Sequence, residues 1–148
     1  MQPLLDSDDF CCLLAWAKRT PAERAGAERV EAERVGVERA GAQRVLAGHV
    51  GFLPAIRAWR AVGDSDLAHL RQLFLAPDYW GTGLARMLHI RALHAACERG
   101  FTAIRLFTPT GQARARRFYE REGWTVNGEP FCDPGFGLQL IAYRRSLG

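Results

Sequence analysis

The chain has 148 residues, 48% of them apolar and 24% charged, with a formal net charge of +4. That length suits one domain with a real core, and no apolar run reaches the roughly 20 residues a membrane helix needs. Asp6, Asp8 and Asp9 give the N-terminus the wrong sign for a signal peptide, so the reading is a cytoplasmic protein with no membrane partner.

Lys18 is the single lysine among 20 basic residues; the rest are arginine. A mild positive balance fits an anionic small-molecule ligand. No basic run interleaves with aromatics, so nucleic acid is not expected as a partner. Cys11, Cys12, Cys97 and Cys132 have no C-x-x-C spacing, and the four histidines are scattered. Neither a disulfide framework nor a metal site is expected.

In chain order, residues 7–19 read as a short helix capped by Ser7 or Asp8, with Phe10, Leu13, Leu14 and Ala17 as its apolar stripe. Thr20, Pro21 and Glu23 have the form of a second helix start. Residues 22–46 then repeat with period five around Ala-Glu-Arg. Five residues turn a helix by about 500°, so the repeat builds no continuous apolar face. It reads as a marginal helix from an expanded short tandem repeat, with a partner-binding helix as the alternative. Residues 1–44 are thus taken as a helical, irregular part of the domain whose core is 45–148.

From Val45 the pattern changes. Residues 44–53 are strand-like, ended by Pro54, and 55–62 read as an antiparallel partner strand before a turn at 63–66. A strand over 67–76 runs into Trp80-Gly81-Thr82-Gly83, and a helix over about 82–99 ends at Gly100. A buried strand (102–107), a helix (112–122, stopped by Gly123) and a closing antiparallel pair (124–131 and 137–145) follow. Alternating strands and helices imply an α/β fold. Such a strand, glycine turn and helix leave several amide N–H groups unpaired at the positive end of a helix, where phosphate binds.

Two linked motifs carry a family likeness. Trp80-Gly81-Thr82-Gly83-Leu84-Ala85, followed by Arg86, resembles the phosphate loop of the GNAT acyltransferases, and Ala115 through Phe118-Tyr119-Glu120 to Gly123-Trp124 resembles the second half of their signature. The likeness covers about residues 43–145. It implies a mixed, mostly antiparallel central sheet flanked by helices, here with an N-terminal helical repeat segment and a weak or missing first strand. Trp80 stands where the family usually has Gln or Arg, and Gln112 where many members have Asn.

The resemblance further implies an acetyl-CoA-dependent N-acetyltransferase that passes its acetyl group to an unidentified primary amine by direct attack in a ternary complex. Acetyl-CoA would be held by residues 80–86 (Trp80, Gly81, Thr82, Gly83, Leu84, Ala85, Arg86) with Gln112 and Ala115, and a backbone N–H near Phe74 or Leu75 would polarise the thioester. Tyr119 would be the general acid, since a phenol of pKa about 10 can protonate a departing thiolate. The strand before the loop has no Glu, which leaves His69 as its best-placed candidate base. The alternative is a catalytically degenerate module of the same fold that binds acyl-CoA or a protein partner. A homodimer is an open alternative for its assembly.

Overall fold

The computed structural model describes residues 10–18, 31–34 and 44–148. Two long strands form the middle of its sheet. β3 (Arg44–Pro54) and β4 (Leu67–Leu75) run antiparallel, from Gly48 opposite Leu75 to Pro54 opposite Ala68. β1 (Cys11–Lys18) flanks β3 and carries β2 (Glu31–Arg34) on its outer side, both antiparallel.

On the other side β4 meets β5 (Ala103–Pro109) in parallel, through the crossover helix α1 (Leu84–Glu98). Helix α2 (Ala113–Arg121) leads to two short strands, β6 (Thr125–Val126) and β7 (Phe131–Asp133). Both pair with β8 (Leu138–Ser146), which also pairs antiparallel with β5. The order is β2-β1-β3-β4-β5-β8-β6, with β7 also on β8. This is the mixed, mostly antiparallel sheet with flanking helices that the motifs imply.

α1 covers β1, β3 and β4 on one face. Its inward residues include Leu84, Leu88, Ala92, Ala95 and Ala96, and each fully buried leucine contributes about 1.5–3 kcal/mol. Small residues bring the helix close. A Cβ on Gly48 would lie 2.6 Å from the Phe74 carbonyl and 3.2 Å from Leu88 Cδ1.

Four sequence expectations about the elements need correction. The helix expected over 7–19 is strand β1 across 11–18, and residues 7–9 and 19 lie outside the described residues. Cys11, Leu13, Ala15 and Ala17 are buried while Cys12, Leu14 and Trp16 are less so, a period of two. Nearly every residue there is apolar, so the pattern fits either period, and eight register pairs with β3 settle it.

The helical reading of the repeat fails at 31–34, which is β2. The capping-box segment and the rest of 20–43 lie outside the described residues. Residues 55–62 are no strand either. Pro54 leads into a single 3-10 turn, Ala55–Arg57, and the antiparallel partner of β3 is β4. The strand expected over 124–131 is split into β6 and β7 around Gly128, whose φ of 90° breaks extended structure, and Pro130, which lacks a donor.

Candidate active site

β4 and β5 stay paired only from Leu67 with Ala103 to Leu70 with Leu106. Beyond that they part. Phe52 faces Leu70 and Gly51 faces Gln72, so Arg71 is an extra residue in β4, a bulge that bends the strand. The gap is a cleft of about 290 Å³. Leu70, Arg71 and Leu73 line one wall, Leu106, Phe107 and Thr108 the other, and Gln112, Ala115 and Tyr119 close the α2 side.

The glycine loop lies between the end of β4 and the N-terminus of α1. Gly81 and Gly83 take φ of 76° and 86°, the left-handed region, and a Cβ on either would meet nothing within 4 Å. Thr82 N–H is held by the Tyr79 carbonyl at 3.4 Å, and Thr82 Oγ1 donates to that carbonyl at 2.6 Å. Leu84 N–H reaches only Thr82 Oγ1, at 3.4 Å. The N–H groups of Gly81, Gly83, Ala85 and Arg86 have no acceptor among the described residues. Four free donors at a helix N-terminus, on backbone with open space before it, fit a pyrophosphate.

Ala76 N–H donates to Ala47 O on the β3 side. Backbone groups alternate along a strand, so Leu75 and Leu73 turn theirs toward the cleft, and Phe74 turns toward β3. The Leu75 carbonyl accepts from Trp80 Nε1 at 3.1 Å, which ties the loop back to the strand. Arg114 stacks on the Trp80 ring at 4.8 Å. Phe74 stacks its ring on His49 at 5.3 Å.

Tyr119 sits in the cleft with its ring among Phe118, Trp124 and Tyr143. Burial pushes its phenol up to about 12, so it stays protonated. Its hydroxyl has no hydrogen-bond partner among the described residues. α2 is fixed around it: Arg116 Nε donates to Tyr143 Oη at 3.0 Å, Tyr143 Oη to Glu120 Oε1 at 2.7 Å, and Trp124 Nε1 to His89 Nε2 at 2.7 Å. Arg86, expected to face phosphate, pairs through Nε with Glu122 at 3.3 Å and so joins α1 to α2. Gln112 is the residue before α2 and, like Ala115, lines the cleft.

His69 is 7% exposed and outside the cleft lining. Its Nδ1 accepts from Arg105 Nε at 3.1 Å, and its ring packs on Phe107 at 4.8 Å. Burial first, then Arg105 and Arg71, lower its pKa to about 4. That makes it a weak base with its free lone pair already used. Among the residues lining the cleft there is neither a carboxylate nor an imidazole.

Sequence reasoning passed over Trp59, Arg105, Phe107 and Phe131, which cluster beside His69. One signal was present: Arg105 is the one charged residue in a mostly apolar strand. Among the described residues no three His, Cys, Asp or Glu side chains converge on a metal-sized site, and no helix is long and apolar enough to cross a membrane.

The model of the acetyltransferase (GNAT) family matches residues 2–124, and the chain belongs to that family. An uncharacterised N-acetyltransferase of Mycobacterium tuberculosis is 35% identical over 79 residues, 53% of this chain and 47% of the relative. The chain therefore spans about half the length of the curated relatives it matches. A GNAT-family protein of Desulfovibrio desulfuricans shares the fold with a TM-score of 0.60 at 22% identity, over 82% of this chain and 69% of the other. The PaiA N-acetyltransferase of Thermoplasma acidophilum, solved with coenzyme A, has a TM-score of 0.50 at 18% identity, over 66% of this chain and 52% of the other.

Proposed function

We propose that this chain is an acetyl-CoA-dependent N-acetyltransferase that acts on a primary amine by direct attack in a ternary complex. The supporting observation is that β4 runs from one feature to the other: it parts from β5 to open a cleft lined by Leu73 and Tyr119, and it ends just before the four free amides at the N-terminus of α1.

Acetyl-CoA supplies the activated acyl group. Gly81, Gly83, Ala85 and Arg86 hold its pyrophosphate through backbone N–H. The cleft-facing amide of Leu73 or Leu75 polarises the thioester carbonyl. Tyr119, kept neutral by burial, gives its proton to the departing sulfur. The amine binds as the free base, because the cleft offers no side chain to deprotonate it, and its surplus proton passes to water.

The test has two stages. Thermal-shift titration with acetyl-CoA and with CoA should raise Tm in a saturable way. Thiol release measured across an amine panel should then find turnover. No stabilisation by either ligand would remove the cofactor assignment, and stabilisation without thiol release on any amine would leave a binding module instead of an enzyme.

A further inference from the structure

The cleft has a second face. Ala68, Leu70, Ile104 and Leu106 point into the core under α1 and α2. Strand alternation therefore sends His69, Arg105 and Phe107 to the other side of the sheet. There Phe107, which also lines the cleft, meets Phe131 edge-on at 5.0 Å and Trp59 at 5.9 Å, and Trp59 lies 6.0 Å from Phe131. Trp59 remains 48% exposed. An aromatic cluster thus adjoins the cleft on the face away from the glycine loop and Tyr119.

Two arginines frame it. Arg105 is 6% exposed, yet no carboxylate pairs with it among the described residues. Nε goes to His69 and Nη2 to the Trp59 carbonyl at 3.1 Å, while Nη1 makes no hydrogen bond among the described residues. That nitrogen is not one of the sealed polar atoms, which are Trp16 Nε1, His49 Nδ1 and His89 Nδ1. A buried, unneutralised guanidinium is costly unless an anion completes it.

Arg60 lies over the Phe131 ring at 3.9 Å and also lacks a carboxylate among the described residues. A stacked guanidinium keeps its in-plane donors for a ligand. Arg60 is also the non-glycine residue with positive φ, 56°, among the described residues, a conformation costing roughly 1–2 kcal/mol. That turn is what brings the Trp59 carbonyl onto Arg105 and the Arg60 side chain onto Phe131.

We infer that this face is the acceptor subsite and that its substrate is an aromatic α-amino acid, its carboxylate read by Arg60 and Arg105 and its ring by Trp59, Phe107 and Phe131. The inference rests on the proposed acetyl transfer. The cofactor arm enters from the helix face, so the amine arrives from this one. Its nitrogen forms a C–N bond to the acyl carbon. The C–S bond breaks with its electron pair on sulfur, which takes the Tyr119 proton. The surplus proton of the amine leaves to water, from which Tyr119 is reprotonated. The products are the N-acetyl amino acid and free CoA.

The experiment compares L-phenylalanine, L-phenylalaninamide, phenethylamine and aminoethyl phosphate by thiol release, in the native chain and in Arg60→Gly. Glycine accepts the positive φ, so Tm should hold or rise while the cation is lost. Phenylalanine should exceed its amide and phenethylamine by about tenfold or more in kcat/KM, as one charge-assisted contact to a carboxylate predicts. Arg60→Gly should bring that ratio toward one, through KM, with the dissociation constant for acetyl-CoA unchanged. The amide has the less basic amine, so its larger free-amine fraction works against this preference.

Equal turnover of acid and amide, or a ratio that Arg60→Gly leaves intact, overturns the inference. So does aminoethyl phosphate turned over as well as phenylalanine. Should acetyl-CoA fail to bind, the proposed activity falls, and calorimetric titration of phenylalanine against its amide still decides the subsite. A tenfold preference for the acid sustains it, and equal binding removes it.

Discussion

Nε of Arg105 donates to Nδ1 of His69 at 3.1 Å, which puts the proton of the neutral ring on Nε2 and leaves no lone pair for an incoming ammonium. With a pKa lowered to about 4, the ring is neutral across the working range. It positions Arg105 and does not accept protons. The rate should therefore follow the acceptor's own ionisation. The rising limb of kcat/KM against pH should move with the amine's pKa from one acceptor to the next, and His69→Gln should leave that limb in place. A limb that stays at one pH for amines of different basicity points instead to a protein base.

His69 and His89 also predict an acid-labile fold. His89 is fully buried, and burial lowers its pKa to about 4 as well. Both rings have an ordinary unfolded value near 6.5. Above that pH neither state is protonated, so stability is complete. Between 6.5 and 4 the unfolded chain takes protons that the folded chain refuses, and stability falls as pH drops. Each histidine contributes at most about 3 kcal/mol to that loss. Thermal unfolding should show Tm declining from pH 6.5 toward 4, with a shallower slope in His69→Gln, even if its Tm at pH 7 is lower. A flat Tm over this window contradicts the buried neutral rings.

Some of this was legible because single residues dictate the backbone. Gly100 and Gly123 take φ of 90° and 92° where helices end, and Gly83 takes 86° where one begins, so α1 and α2 fall within two residues of their expected limits. The second motif also brings Ala115 and Tyr119 of α2 to one cleft, beside Leu73 near the end of β4. What failed lacks such markers. Residues 11–18 are apolar almost throughout, and only pairing with β3 chooses strand over helix. Trp59 resembled a strand residue, yet a 3-10 turn and a left-handed Arg60 carry it onto Arg105. The aromatic and arginine cluster beside His69 is built from long-range contacts among 59, 69, 105, 107 and 131, which no local pattern announces.

Tyr119→Phe separates proton donation from packing. The ring contacts with Trp124 and Tyr143 persist in phenylalanine, and the hydroxyl has no partner among the described residues to leave stranded. kcat should fall by about 10²-fold, the lower end of general acid catalysis, while the dissociation constant for CoA changes less than about threefold. Because burial holds the phenol near 12, the native enzyme should show no loss of rate from Tyr119 ionisation below about pH 11. Unchanged kcat in the variant removes the acid role.

Gly48 tests the close packing behind the loop. An added Cβ would sit 2.6 Å from the Phe74 carbonyl, a backbone atom that cannot rotate away. β3 and β4 must shift apart at the end of β4 that leads into the loop. Gly48→Ala should destabilise by about 2 kcal/mol, a Tm loss of roughly 6 °C, with weaker CoA binding as a consequence. Gly63→Ala, where a Cβ meets nothing within 4 Å, is the control and should stay near the parent Tm.

Gly83 isolates the loop's own conformation. It precedes α1 with φ 86° and ψ −1°, and its carbonyl receives the Met87 N–H at 3.1 Å. A Cβ there meets no protein atom, so alanine brings only left-handed strain of about 1–2 kcal/mol and a methyl group in the space before the free amides. To escape that strain, the chain must rotate φ, which swings the Gly83 and Ala85 N–H groups off a common target. Gly83→Ala should therefore raise the CoA dissociation constant about tenfold by calorimetry, with a Tm loss of only a few degrees. Gly111→Ala, at a glycine with ordinary φ and open surroundings, should leave CoA affinity unchanged. Native affinity in Gly83→Ala would mean that the phosphates are held by side chains, with Arg86 and Arg114 the nearest cations to examine next.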